Sequence, residues 1–335
     1  TTKGIMMFEQ IVPAILVSIV AFFSVYIITP FLIRALEKRN LTVKDYHRKG
    51  GAMIPRPGGP SILIGIIASE LTLYAFFPTT AIITILITTS LAFVVGIIDD
   101  RKALGGWFKP LALAVSAISI VFLGAYDTNL TFPLFGSFKI PALYLALIIF
   151  IIPITGNTIN SIDVLNGVVS GFMTIASFSL SASLFIIQNY EIAIASLPLG
   201  FVSLAFYKYH KFPSKIFPGD SGALTLGVMY GVIAILGHVE IVAAIALLPA
   251  VINSFLFLSS VKRIVEHRQI KNPTTVTSDF KLMATSDKDA PITLLRLILA
   301  TGPMTEKQIV FVIFKLTLFS ASLAIITAFM MGIKI

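Results

Sequence analysis

The sequence predicts an all-α integral membrane protein, a bundle of about ten transmembrane helices forming one domain over residues 1–335. Of its 335 residues, 56% are hydrophobic and only 12% are charged, against about 25% charged in soluble domains. The mean hydropathy is +0.94. The apolar runs are continuous rather than alternating, which favours membrane helices over the strands of a membrane barrel.

Ten apolar runs predict the spans, since about 20 residues cross the hydrocarbon core as a helix. The first run has no small-residue cleavage site and is followed by further runs, so we expect it to remain as a helix. The ten runs are Ile11–Ile33, Ser61–Phe77, Ala81–Ile98, Leu111–Tyr126, Ile140–Ile154, Gly167–Ile187, Glu191–Tyr207, Gly222–Gly237, Ile241–Leu258 and Gln308–Met331.

The connections between the runs differ in charge, and this predicts the orientation in the membrane. Apart from Lys3, Lys139, Lys315 and Lys334, all 25 Lys and Arg residues lie in five loops. The positive-inside rule places these loops in the cytoplasm and both termini outside, so the net charge of +9 does not indicate nucleic-acid binding. The five loops are Arg34–Pro60, Asp99–Pro110, Gly156–Asn166, Lys208–Ser221 and Ser259–Lys307.

Two of these loops have further features of their own. The last, residues 259–307, is long enough for a cytoplasmic subdomain, with an interfacial helix near Ile292–Leu299. The first is basic and rich in Gly and Pro between Tyr46 and Pro60, and it lacks a Walker pattern. We expect it to form a mobile rim, with contact to substrate phosphate as the alternative. The absence of Cys excludes a thiolate nucleophile, a disulfide and a Cys metal site.

An acidic pair ends the third run. Asp99 and Asp100 are followed by Lys109. Adjacent carboxylates are costly to ionise together, and they suit metal coordination, proton abstraction or the positioning of a lysine. A solvated helix end is the alternative explanation.

Polar residues recur every third position between the fifth and sixth runs, at Asn157, Asn160, Asp163 and Asn166. On a helix the first three would lie along one face. Amide and carboxylate oxygens suit Mg²⁺ or Mn²⁺, whereas the alternative is a series of caps leading into the sixth helix.

Two other groups complete the candidates. Asp220, in the segment Phe217-Pro-Gly-Asp-Ser, either caps the eighth helix or binds a metal. His267 and Arg268 lie in a basic cluster after the ninth run that suits lipid headgroups or substrate phosphate. Together the clusters predict a cytoplasm-facing pocket for a phosphate-bearing substrate and a second substrate held in lipid, as phosphoryl transfer requires.

The order of these motifs resembles that of the polyprenyl-phosphate N-acetylhexosamine-1-phosphate transferases, which are ten-helix, Mg²⁺-using membrane enzymes. Within them it is most similar to the eukaryotic and archaeal dolichyl-phosphate GlcNAc-1-phosphate transferases. Asp163 is followed by Val164 and the last loop holds one histidine, which favours that branch over the peptidoglycan branch. The matching segments are Asp99-Asp100 with Lys109, Asn157–Gly167, Phe217–Ser221, Gly231–His238 and Pro291–Pro303.

The resemblance implies a role for each candidate. Asn160 and Asp220 would hold Mg²⁺, with Mn²⁺ as the alternative, and Lys109 would contact the pyrophosphate of UDP-GlcNAc. Asn166 would reach the nucleotide, and Arg268 the sugar phosphate or N-acetyl group. Asp99 and Asp100 would position Lys109 or deprotonate the lipid phosphate. The other predicted substrate contacts are Asn157, Asp163 and His267.

The implied reaction joins GlcNAc-1-phosphate from UDP-GlcNAc to a polyprenyl or dolichyl phosphate, the first membrane step of N-glycan assembly. Direct attack by the lipid phosphate is favoured, with a nucleophilic Asp100 as the alternative. Three other hypotheses stay open: a bacterial-type undecaprenyl-phosphate transferase, a transporter or lipid flippase, and a membrane scaffold. Only Glu70 and Lys315 are charges well inside predicted spans, which disfavours transport. The sequence leaves the assembly open, with a homodimer among the alternatives.

Overall fold

Helices dominate the computed structural model, which describes residues 2–47, 51–102, 105–261 and 271–331. About 72% of these described residues are helical, so the predicted all-α class is confirmed. The helices are α1 (Thr2–Lys38), α2 (Gly59–Phe76), α3 (Thr80–Arg101), α4 (Phe108–Leu123), α5 (Pro141–Ser161), α6 (Val168–Ile186), α7 (Tyr190–His210), α8 (Gly219–Gly237), α9 (Glu240–Ala246), α10 (Leu248–Val261), α11 (Leu294–Ile298) and α12 (Glu306–Met331).

Every predicted apolar run is occupied by a helix, but two of them are not full straight spans. Within the described residues, eight helices are long and apolar enough to cross a membrane. The ninth run is divided into α9 and α10, which meet at Leu247 with a bend of 76°. Helix α4 is apolar but has only 16 residues. The described part of the chain therefore has eight or nine candidate spans by length and composition, against the ten predicted.

Helix α8 lies at the centre of the bundle. All of its residues are buried except Asp220, in its first turn. It packs against α3 and α5, and the contact with α3 is very close at Gly96, where a Cβ atom would lie 2.4 Å from the Cα atom of Ser221. Small residues allow such close approach between membrane helices. The packing therefore places the start of α8 directly beside the acidic end of α3.

In the described parts of the loops there are three antiparallel hairpins, although the sequence did not predict strands there. They pair β1 (Thr42–Lys44) with β2 (Met53–Pro55), β3 (Asn129–Phe132) with β4 (Gly136–Lys139), and β5 (Thr274–Val276) with β6 (Leu282–Ala284).

Hydrogen bonds fix the first hairpin to the bundle. The Phe217 amide donates to the carbonyl of Pro55 at 3.0 Å, and the Gly58 amide donates to that of Phe217 at 2.8 Å. The expected rim is therefore a hairpin attached to the start of α8. In the last loop, the expected interfacial helix is only the short α11 with a 3₁₀ turn at Leu299–Thr301.

Candidate active site

A polar cavity of about 520 Å³ lies where the ends of several helices meet. Its walls come from the β1–β2 hairpin, the end of α3, the start of α4, the end of α5 with the loop that follows, and the start of α8. It therefore joins four of the five polar loops. The predicted site residues that line it are Asp99, Asp100, Lys109, Asn160, Asp163, Asn166 and Asp220.

Asp220 is the centre of the hydrogen-bond network in this cavity. Lys109 Nζ donates to Asp220 Oδ1 at 2.6 Å, and Asn160 Nδ2 donates to the same oxygen at 2.9 Å. Arg56 Nη2 donates to Asp220 Oδ2 at 2.7 Å. One carboxylate thus connects the first loop, α4, α5 and α8.

The two carboxylates at the end of α3 have different partners. Asp99 Oδ2 lies 2.8 Å from Lys109 Nζ, so Asp99 holds the lysine. Asp100 accepts hydrogen bonds from the backbone amides of Asp220 and Ser221, both at 2.9 Å, and from Arg56 Nη2 at 3.1 Å. Asp100 therefore caps α8 from a neighbouring helix, where a negative charge is favoured.

Gly219 makes this cap sterically feasible. Its φ angle is +71°, and an added Cβ atom would lie 2.7 Å from Asp100 Oδ1 and 2.7 Å from the Cβ atom of Pro57. A glycine is favoured both by the left-handed backbone conformation and by the lack of space. The turn before α8 is thus shaped around the Asp100 carboxylate.

The amide series does not share one helical face as predicted, because α5 ends at Ser161. Asn160 points into the cavity. Asn157 Nδ2 instead donates to the carbonyl of Pro153 at 2.8 Å, and Asn157 is not a lining residue. Asp163 lies in the loop, with Oδ1 3.8 Å from His210 Nε2. Burial raises the pKa of Asp163 to about 7, although the nearby Arg56 opposes the shift.

Asn166 uses both ends of its side-chain amide within the protein. Nδ2 donates to Glu306 Oε1 at 2.7 Å and to Asp45 Oδ2 at 3.2 Å. Oδ1 accepts from the Ser214 amide at 3.0 Å. Asn166 therefore ties its loop to three other segments. The remaining predicted site residues, His267 and Arg268, lie outside the described residues.

Sequence reasoning missed four polar residues at or beside the cavity. Arg56 bridges Asp100 and Asp220, and its position before Pro57-Gly-Gly-Pro was the available signal, because that turn is stiff. The other three have no distinctive motif in the neighbouring sequence. They become functional candidates only through contacts with residues distant in sequence. They are Asp45, His47 and Glu306.

The charges of the cavity allow a test of the predicted Mg²⁺ site. The lining carries five aspartates against Lys44, Arg56 and Lys109, an excess of two negative charges when all five aspartates are ionised and the histidines are neutral. In the described part of the chain, no three His, Cys, Asp or Glu side chains are grouped as ligands. Mg²⁺ is commonly held by one or two carboxylates together with substrate phosphates. The hard oxygen donors and the charge excess fit such an ion.

The chain is similar to known proteins over most of its length. The model of glycosyl transferase family 4 matches residues 82–238, which contain the motifs from Asp99 to Asp220. A Bacillus subtilis protein assigned as an undecaprenyl-phosphate N-acetylglucosaminyl 1-phosphate transferase is 30% identical, over 83% of this chain and 80% of the relative. The family match thus covers the motifs but not the first loop or α12.

Two other relatives show the breadth of the similarity. A Saccharolobus solfataricus protein assigned as a UDP-N-acetylglucosamine–dolichyl-phosphate N-acetylglucosaminephosphotransferase is 26% identical, over 95% of this chain and 97% of its own. A phospho-N-acetylmuramoyl-pentapeptide-transferase of Staphylococcus haemolyticus is 28% identical, over 68% of this chain and 77% of its own. The relatives thus differ in the sugar and the lipid named.

Proposed function

The chain belongs to the polyprenyl-phosphate N-acetylhexosamine-1-phosphate transferases of glycosyl transferase family 4, and on this basis we propose that its donor is UDP-GlcNAc. The acceptor is a polyprenyl phosphate of the dolichyl type, and the products are polyprenyl-pyrophosphate-GlcNAc and UMP. This reaction is the first membrane step of N-glycan assembly. One observation carries the proposal: Lys109 and Arg56 converge on Asp220 in a cavity at the ends of membrane helices.

The cations of the cavity suit a diphosphate. Lys109 is fixed between Asp99 and Asp220, and Arg56 between Asp100 and Asp220, so both charges are held in place before a substrate arrives. Preorganised charges stabilise the developing negative charge of a phosphoryl transfer without further reorganisation. We assign the pyrophosphate of the donor to these two residues.

Mg²⁺, with Mn²⁺ as the alternative, forms part of the proposal. Asn160 and Asp220 would hold it, and the excess of negative charge in the lining supports this assignment. When bound, the ion would neutralise phosphate charge and stabilise the leaving UMP.

The chemistry is a direct displacement. An oxygen of the lipid phosphate attacks the β-phosphorus of the donor, and the bond from that phosphorus to the bridging oxygen breaks, so that UMP leaves. Asp100 accepts hydrogen bonds from Arg56 and from the start of α8, which lower the nucleophilicity of its carboxylate and support direct attack over a nucleophilic Asp100. Asp163, with a pKa of about 7, is suited to accept a proton near neutral pH.

We place the cavity on the cytoplasmic side of the membrane. The support is the concentration of Lys and Arg in the loops that form it, which is typical of cytoplasmic loops.

The test measures transfer of radiolabel from UDP-GlcNAc into the organic phase by purified protein in detergent. Separate reactions contain dolichyl phosphate or undecaprenyl phosphate, with Mg²⁺ or with EDTA. Asp220→Asn is compared with Glu191→Gln. Glu191 lies in the first turn of α7, whereas the last residue of that helix, His210, lines the cavity. We expect transfer that is lost with EDTA and with Asp220→Asn only.

The lipid arms distinguish the dolichyl proposal from the bacterial-type alternative, which the Bacillus relative favours. If no UDP-sugar labels either lipid, the enzyme proposal is wrong. Transport in liposomes would then test the transporter alternative.

A further inference from the structure

Glu306 begins the last helix, α12, and holds the loop that contains Asn166. Glu306 Oε1 accepts a hydrogen bond from the Asn166 amide at 2.6 Å and from Asn166 Nδ2 at 2.7 Å. The two residues are 5% and 2% exposed. This carboxylate therefore fixes both the backbone and the side chain of the loop that follows α5.

The same carboxylate reaches the β1–β2 hairpin. His47 Nδ1 lies 3.7 Å from Glu306 Oε1, and Asp45, which is also buried, accepts from the same Asn166 Nδ2 that donates to Glu306. The hairpin leads directly to Arg56 and is bonded to the segment before Asp220. Glu306 thus connects α12 with the loop that supplies a cation to the cavity.

The segment just before Glu306 connects a third loop. The backbone amides and carbonyls of Met304 and Leu282 pair at 2.8 and 3.0 Å, which attaches the β5–β6 hairpin to the start of α12. Three of the five polar loops therefore meet within two residues of Glu306.

Burying the acidic residues around Asn166 carries an unfavourable free energy. Asp45 and Glu306 are carboxylates removed from solvent, and Glu306 Oε2 has no hydrogen-bond partner among the described residues. An apolar residue would fill this position at lower cost, because buried carboxylates pay a large desolvation penalty. Glu306 offsets part of this penalty through its contacts with Asn166 and His47, both of which line the cavity.

We propose that Glu306 is a positioning residue for the donor site, which fastens the Asn166 loop and the β1–β2 hairpin to the last membrane helix. This inference rests on the proposed function, since it assigns the fastened cavity to a nucleoside diphosphate sugar. Glu306 lies outside the region matched by the family model. Glu306 acts on the donor through Asn166 and the hairpin, so it does not need to contact the donor itself.

The kinetic test compares Glu306→Ala and Glu306→Gln with Gln308→Ala. Gln308 caps the same helix end by accepting from the amide and the hydroxyl of Thr305 at 2.9 and 3.0 Å, so the control removes a cap without touching Asn166. Bonds to charged groups contribute about 1.5–3 kcal/mol, which corresponds to a factor of about ten to a hundred. We expect Glu306→Ala to raise the KM for UDP-GlcNAc by that factor.

A general loss of stability would not raise the KM for the donor alone, so the KM for the lipid phosphate and kcat serve as controls. The KM for the lipid phosphate and kcat should each change by less than about threefold in Glu306→Ala. Glu306→Gln, which keeps an acceptor oxygen, should restore part of the donor KM. An equal rise in both KM values, or the same rise in Gln308→Ala, would overturn the proposal.

Hydrogen exchange gives a readout that does not depend on activity. Backbone amides of residues 42–47 and 162–167 should exchange faster in Glu306→Ala than in the wild type or in Gln308→Ala. Unchanged exchange in both segments would show that Glu306 does not fasten them, and the proposal would be wrong. Exchange could change as expected while wild-type protein neither binds UDP nor transfers sugar. In that case Glu306 does hold the two segments in place, but the assignment of the cavity to a donor is wrong, as is the proposed function.

Discussion

Lys109 Nζ lies 2.6 Å from Asp220 Oδ1 and 2.8 Å from Asp99 Oδ2, so one ammonium group joins the end of α3 to the starts of α4 and α8. The three residues are distant in sequence, and the ion pairs form only when the helices are packed. This arrangement places a fixed positive charge in the cavity, and it makes Lys109 the first residue to test.

Lys109→Gln should lower transfer activity by about 10²–10³, the usual cost of losing one preorganised donor. The control is Lys215→Gln, an exposed lysine in the loop before α8. Initial rates with UDP-GlcNAc and thermal unfolding would be measured together. Equal rates for Lys109→Gln and Lys215→Gln would remove Lys109 from the mechanism.

Arg56 should be important although it was not among the site residues predicted from the sequence. Its Nη2 donates to both Asp100 and Asp220, whereas the shorter lysine would place a compact, more strongly hydrated charge at a different position. We expect both Arg56→Lys and Arg56→Ala to raise the KM for UDP-GlcNAc, the alanine variant more strongly. Arg39→Ala, at an exposed position after α1, is the matched control and should behave as the wild type.

Direct displacement predicts no covalent enzyme intermediate. Protein incubated with UDP-GlcNAc and Mg²⁺ but without lipid phosphate should release no stoichiometric burst of UMP, and its intact mass should not change. The reason is that Asp100 already accepts bonds from two backbone amides and Arg56. A mass increase of one sugar phosphate that disappears in Asp100→Asn would establish the covalent route.

Asp163 should make stability depend on pH. Its pKa is about 7 in the folded protein, above the ordinary value of 3.8, because burial disfavours the charged form. The folded state therefore binds more protons than the unfolded state between about pH 4 and 7, and stability falls as pH rises through that window. Asp163→Asn removes this penalty, so its melting temperature should exceed that of the wild type more at pH 8 than at pH 5. A constant difference across this range would refute the assignment.

Any side chain larger than that of glycine at position 96 should lower stability. A Cβ atom there would lie 2.4 Å from the backbone of Ser221, whereas one at Gly105 would meet nothing within 4 Å. Overpacking typically costs about 1–3 kcal/mol. We expect Gly96→Ala to lower the melting temperature and the activity together, since it pushes α8 away from Asp100. Gly105→Ala should melt with the wild type.

Local composition was sufficient to predict the membrane class, the positions of the apolar helices and a set of candidate site residues. Hydropathy is a property of neighbouring residues, so each apolar run could be identified without knowledge of the others. Asp99, Asp100, Asn160 and Asp220 could be named as candidates in the same way, because carboxylate and amide oxygens suit hard cations.

The tertiary structure alone decided how these groups are used. Arg56 is 44 residues from Asp100 and 164 from Asp220, Lys109 is 111 from Asp220, and Glu306 is 140 from Asn166. The end of α5 at Ser161 removed Asp163 from the face predicted for it, and the bend at Leu247 divided a run that looked continuous. Such contacts and breaks depend on the packing of the whole bundle, because their free energy comes from partners that no local segment contains.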